Sequence, residues 1–227
     1  MYIITLSRWE SEAGKSEILL ETLRAYVESL ELDALSDMDV FVLKGHKADN
    51  LHVLYTLLAQ PEEKVRSEDK VLKDVGYSGL QEQCLRQNLV KVPVANRRLK
   101  SWSGFLYRPD DISPRSFAVV AELEYKEGKR AEGEPFWEAI AKHAEANEAG
   151  TYSYLWSRDR ELDHVLWSFE RYESEEYLWK THVEANELVQ RSSKLQKDIR
   201  GATRHMWLEC QCCLVQKKYY EAHAIRE

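Results

Sequence analysis

Apolar and polar positions along this chain alternate in short runs that read as strands and recur every three to four residues in longer runs that read as helices. The same order appears twice. Ile3–Trp9 predicts a strand and Ser16–Leu30 a helix, with Ile18, Leu19, Leu23, Tyr26, Val27 and Leu30 at helical spacing. Val40–Leu43 and His52–Leu58 follow as a hairpin around the polar turn Gly45–Asn50. Pro61-Glu62-Glu63 opens a helix, since proline and acidic residues both suit a helix N-terminus. Leu89–Val94 predicts a closing strand. Ala95–Arg115, with Pro109 and Pro114, reads as a connector held down by Trp102, Phe105 and Tyr107. Beyond it, Phe117–Tyr125 predicts a strand and Pro135–Asn147 a helix stopped at Glu148-Ala149-Gly150. Thr151–Ser157 and His164–Tyr172 pair around the turn Arg158–Leu162, Ser174–Val189 continues as a helix, and His205–Val215 is the last strand. The charged tail Gln216–Glu227 extends that strand or wraps the partner repeat.

Two landmarks tie the halves together. Gly14-Lys15 recurs as Gly128-Lys129, 114 residues on, and Leu51–Leu57 is echoed by Asp163–Phe169, 112 residues on. A period this long means two whole modules rather than solenoid units. Each reads β-α-β-β-α-β, the ferredoxin-like arrangement, with both helices on one face of a four-stranded antiparallel sheet. The bare face of such a sheet also needs cover, so the fold class expected is α+β: two tandem ferredoxin-like repeats whose sheets pack into one pseudo-dimeric barrel. The expected boundaries are 1–95 for the first repeat, 96–115 for the linker and 116–227 for the second.

Composition narrows the partners. The 227 residues are 44% apolar and 31% charged, with a net charge of −7 and no basic block beyond Arg97-Arg98-Leu99-Lys100. Nucleic acid is therefore not the expected partner. The N-terminus turns charged at Arg8, and no run of about 18 apolar residues exists, so neither a signal peptide nor a membrane span is expected. Cys84, Cys210, Cys212 and Cys213 show no zinc spacing and predict reduced thiols in a cytoplasmic protein. A monomer acting as a pseudo-dimer follows, with further self-association left open.

The run Val165–Glu176, containing Phe169-Glu170-Arg171-Tyr172-Glu173-Ser174, followed by His182 and preceded by Gly150-Thr151, resembles the antibiotic biosynthesis monooxygenase family of the dimeric α/β-barrel superfamily. Tyr172 departs from the family's tryptophan. The likeness covers about 75 residues of the second repeat, and the first repeat shares only the organisation. Fused two-domain chains of this kind resemble fungal forms linked to secondary metabolism. The resemblance implies a monooxygenase acting without a cofactor, with O2 as co-substrate and a hydrophobic quinol, anthrone or polyketide-like molecule as substrate. The electrons come from the substrate: a phenolate or carbanion can reduce dioxygen, so the protein supplies an apolar slot, a base and anion stabilisation.

Alternation puts Ser168, Glu170 and Tyr172 on one face of their strand, assigned to the helix-side pocket, and Trp167, Phe169 and Arg171 on the other. His182 is the candidate base or else a supporting residue bonded to Glu170. Glu170 pairs with His182 or a neighbouring basic group, and Tyr172 donates to a substrate oxygen or packs. Ser168 is the fourth catalytic candidate. Tyr154, Trp156, Trp179, Trp207 and Phe136 are the candidate aromatic walls, with His143 in the core or at the rim. Aligning His52 with His164 sets Leu58 against Glu170, Gln60 against Tyr172 and Lys70 against His182, which predicts one working pocket, in the second repeat. Arg191 at the late-helix position, with Ala121 and Glu122 where an asparagine would be wanted, argues against haem degradation. Three alternatives stay open: hydroxylation of a lipid-derived hormone such as jasmonate, cofactor-free isomerisation or cyclisation, and a non-catalytic binding barrel.

Overall fold

A computed structural model describes residues 1–31, 38–47, 50–65, 76–108, 116–216 and 218–221. The first repeat comprises β1 (Tyr2–Glu10), α1 (Ser16–Glu31), β2 (Asp39–Gly45), β3 (Val53–Pro61), α2 (Tyr77–Arg86) and β4 (Ala95–Phe105). The second comprises β5 (Phe117–Tyr125), α3 (Arg130–Asn147), β6 (Thr151–Asp159) and β7 (Val165–Tyr172). Its next helix, α4, is a single α-turn, Glu175–Tyr177, that widens into a π-helix over Leu178–Glu184. Then follow α5 (Glu187–Leu195), β8 (Arg200–Val215) and β9 (Lys218–Glu221). Among the described residues, no helix is long and apolar enough to cross a membrane.

Hydrogen bonding orders the strands β2-β3-β1-β4-β6-β7-β5-β8-β9, with a further β2–β8 pairing that closes the first eight into an antiparallel barrel. Within each repeat the order is second, third, first, fourth, as a ferredoxin-like unit requires. The register confirms the alignment of the repeats. Ser7 faces Thr56 and Ala121 faces Ser168, while Ile3 faces Gln60 and Phe117 faces Tyr172. Leu58 and Glu170 are thus equivalent positions, as are Gln60 and Tyr172.

Four sequence expectations need correction. Leu89–Val94 holds only an isolated bridge from Val90 to Ser11, and the closing strand is β4, inside the expected linker. Its charged start, Asn96-Arg97-Arg98, hid a strand whose apolar positions come later, at Leu99 and Phe105. Pro61 opens a 3-10 turn, Glu62–Lys64; residues 66–75, Lys70 included, lie outside the described residues, as do Pro109 and Pro114. Ser174–Val189 is not one helix, because it is π-wound and then interrupted at Asn186. Ile18 is exposed rather than core. The tail does not continue β8 but turns back as β9 against Cys212–Val215, and residues 222–227 lie outside the described residues.

The chain divides into two compact units, Leu99–Leu208 with Met1, and Tyr2–Arg98 with Glu209–Glu227. In the second of these, Leu19, Leu23 and Val27 of α1 pack over Val40, Leu54 and Cys212. In the first, Trp137, Ile140 and Ala144 of α3 cover Val119, Trp156 and Leu166. Side chains 166 and 172 of β7 belong to this helix-covered core, so the face assigned to Ser168, Glu170 and Tyr172 is the helix side.

Candidate functional site

The end of α3 builds the frame. Arg108 ties its last turn to the loop beyond it, donating to the oxygens of Ala144, Glu145, Glu148 and Thr151 at 2.8–3.0 Å. Gly150 follows because a side chain there would strike the Tyr177 ring; a Cβ would lie 2.5 Å from Tyr177 Cε2. The Gly150 N–H instead donates to the Tyr177 hydroxyl at 3.0 Å. The adjoining Thr151 Oγ1 donates to Glu148 Oε2 at 2.8 Å. The Gly-Thr pair is thus a positioning device for a buried carboxylate.

Glu148 is the hub. Asn186, which caps α5 through Leu188 N, donates Nδ2 to Glu148 Oε1 at 2.7 Å, and His182 Nδ1 meets Glu148 Oε2 at 2.7 Å. Burial raises the Glu148 pKa, but the hydrogen bond and charge of His182 outweigh it, with Thr151 and Asn186 adding, and the carboxyl ends below the usual range. With Glu148 ionised, the neutral form of His182 carries its proton on Nδ1 and leaves Nε2 as a lone pair. His182 is only 3% exposed, and among the described residues its Nε2 makes no hydrogen bond. The imidazole lies between two phenol rings, 4.9 Å from Tyr154 and 5.3 Å from Tyr172 by centroid. Its seat is the π-helical turn, a winding that recurs at functional sites.

The sequence expectation that Glu170 pairs with His182 is overturned. Glu170 Oε2 accepts from the Tyr172 hydroxyl at 2.7 Å, two residues along the same face. Tyr172 therefore contributes its ring to the imidazole and commits its hydroxyl to Glu170. Burial, then the Glu170 charge, raises both Tyr172 and Tyr154 well above the ordinary phenol range, so both are neutral donors at physiological pH.

The aromatic candidates separate by place. Trp156, 1% exposed, stacks on Trp137 at 4.4 Å and 20°, an arrangement worth about 0.5–1.5 kcal/mol beyond its burial. Trp207 is half-buried, stacks on Phe117 at 6.0 Å and meets the exposed Trp179 at 5.7 Å. Ser168 is buried on the helix side. Phe136 and His143 are half-buried on α3, where neither joins the core cluster; His143 Nδ1 contacts Asn147 on its own helix.

Sequence reasoning missed Glu148, Asn186, Arg200 and His205. Glu148 read as a helix stop, although its spacing to Thr151 was a signal. The Arg200 guanidinium stacks over Trp137 at 5.2 Å, and burial lowers its pKa while Tyr125 and Tyr154 oppose that shift. His205 stacks on Trp207 at 5.4 Å; partial desolvation lowers its pKa, Glu170 opposing and Arg200 adding. Among the described residues no group of three or more His, Cys, Asp or Glu side chains could hold a metal ion.

The first repeat differs at each equivalent point. Leu58 replaces Glu170, and Thr56, in the place of Ser168, accepts from Trp9 Nε1 at 3.0 Å and hydrogen-bonds the Tyr77 hydroxyl. No histidine–carboxylate pair is buried there among the described residues.

Residues 116–190 match the family model described as Antibiotic biosynthesis monooxygenase. No curated protein matches the chain in sequence. Among solved structures, a protein named "putative monooxygenase" from Fusobacterium nucleatum is 12% identical with a TM-score of 0.76, covering 97% of this chain and 94% of that one. Another of the same name from Lactobacillus acidophilus is 8% identical with a TM-score of 0.68, covering 97% and 96%. An anthrone oxidase-like protein is 11% identical with a TM-score of 0.63, covering 93% and 92%. At such identities the likeness establishes the fold.

Proposed function

We propose, from the premise that the second repeat is an antibiotic biosynthesis monooxygenase domain, that this chain oxygenates a flat, electron-rich aromatic or enolisable molecule with O2 and without a resident cofactor. One observation carries the reading: a buried imidazole whose Nδ1 is fixed by a fully hydrogen-bonded carboxylate while Nε2 is left unbonded between two neutral phenols. A carboxylate-held imidazole is a general base of fixed tautomer and direction.

For an anthrone-type substrate the balance is CH2 + O2 → C=O + H2O. His182 Nε2 takes one proton, and the carbanion passes its electrons to dioxygen to give a peroxide anion. The imidazolium returns the proton to the outer peroxide oxygen. Loss of the second C–H proton then expels that oxygen as water and leaves the carbonyl. The Tyr154 phenol and the partly desolvated Arg200 guanidinium are the groups suited to steady the anionic stages.

Oxygen uptake in chelator-treated buffer with an anthrone or hydroquinone, corrected for spontaneous oxidation, is the test. One O2 per carbonyl formed is expected, and His182→Asn is expected to lower kcat/KM by about 10²–10⁴-fold. A folded His182→Asn protein with undiminished uptake would overturn the assignment. Product formed equally well under argon would point to isomerisation or cyclisation.

A further inference from the structure

Polar atoms buried in the second repeat are mostly satisfied from within: Glu148, Gln196, Tyr125 and the Trp137 N–H all have partners. Two on one spot are not. Ser168 Oγ and Trp156 Nε1 are shielded from solvent with no hydrogen-bond partner, on residues 2% and 1% exposed. The Tyr154 hydroxyl is near enough for the Trp156 N–H to favour its phenolate, but it does not complete the bond. Ser168 and Trp156 are direct partners across the β6–β7 ladder, on the face beneath α3. Opposed side chains on one face carry their Cβ atoms about 4.5–5.5 Å apart. On the other side of Ser168 the partner is Ala121, which adds little bulk.

The first repeat serves as an internal control. There the equivalent hydroxyl, Thr56, is satisfied by Trp9 and Tyr77. In the second repeat the position matching Trp9 is Leu123, which has no donor or acceptor on its side chain. This fold can close the spot with its own side chains, and in the second repeat it does not. Groups left unpaired this way call for an explanation, and an outside acceptor is one.

We infer that Ser168 Oγ–H and Trp156 Nε1–H form a two-donor seat for a single oxygen of a flat aryl ketone, quinone or phenolate. One N–H and one O–H donor on opposed residues of adjacent strands suit a carbonyl or phenolate oxygen, which has lone pairs for both. The stacked Trp156–Trp137 pair offers an apolar wall beside it. The seat orients the ring, and His182 acts on it. This inference rests on the helix-side face of the second repeat being a small-molecule site, but not on the reaction being an oxygenation.

Anaerobic equilibrium dialysis with 1-tetralone and tetralin, the same skeleton with and without the carbonyl, tests it in the full chain. Ser168→Ala and Trp156→Phe are each expected to lower the ratio of ketone to hydrocarbon affinity by about 5–10-fold, while Ser168→Thr retains it. Melting curves establish that each variant is folded, and Ser168→Ala alone suffices if Trp156→Phe is not. An unchanged ratio, an equal loss of both ligands, or no binding of either by the parent protein overturns the seat. A shifted ratio without any oxygen uptake would sink the oxygenase reading and spare the seat. An unchanged ratio beside His182-dependent uptake would do the reverse.

Discussion

Single side chains in this protein carry opposite electrostatic burdens. Glu148 is a buried acid held below its ordinary range, so its contribution to stability is present above the ordinary glutamate value of 4.5 and disappears as pH falls through the lower native value. Glu148→Gln keeps the shape and removes the charge. We expect it to cost about 2–4 kcal/mol at pH 7 and, because the imidazole loses the carboxylate that fixes its tautomer, to lower kcat/KM. A folded variant with undiminished kcat/KM would reduce Glu148 to packing. Asp39 is the converse: burial raises it from 3.8 to about 6, with the Gln216 N–H opposing at 3.0 Å. Its native pKa exceeds its unfolded value, so stability falls as pH rises between those values and stays low above them. Asp39→Asn retains the acceptor for Gln216. It should gain about 2–3 kcal/mol above pH 6 and nothing near pH 4, as read by denaturant titration at the two pH values.

At the scale of elements, what was legible is what repeats. Strand β5 and the stop of α3 follow directly from alternation and from Glu148-Ala149-Gly150. The register reproduces both repeat offsets. The face of Ser168, Glu170 and Tyr172 follows from period two alone. Three things were hidden for physical reasons. Strand β4 begins with charged residues and carries a bulge between Ser101 and Ser103, which breaks the alternation a strand would otherwise show. The π-winding of α4 has no period of 3.6 to detect. The partner of His182 comes from the end of a helix 34 residues earlier, and no local pattern in sequence joins them. Arg108 is a further case, since one guanidinium fork donates to four carbonyls 36 to 43 residues away. Arg108→Met should cost about 2–3 kcal/mol in chemical denaturation and should lower turnover, because the carboxylate hub hangs from the turn that Arg108 ties. Turnover unchanged in a destabilised variant would uncouple the two.

For the molecule as a whole, repeat boundaries and structural boundaries differ. The compact units change at Arg98/Leu99 and Leu208/Glu209, which lie inside β4 and β8, so each of those strands serves both units in turn. The second repeat is therefore not self-sufficient even though it carries Glu148, His182 and Asn186. Leu99–Phe105 of β4 pair with β6, and a fragment of residues 116–227 lacks them. That fragment would expose the N–H and C=O groups along β6 as an unpaired edge. It should run on size exclusion with light scattering as a dimer or larger aggregate; a stable, folded monomer would show that β4 is dispensable to the unit.

The widened turn that seats His182 has a bearing on descent. One residue more or less in a helix rotates everything beyond it by about 100°. A kindred chain shortened by one between Tyr177 and Asn186 could keep its barrel intact and still aim the imidazole away from Glu148. Loop length at that place would then separate working lineages from silent ones better than overall likeness does.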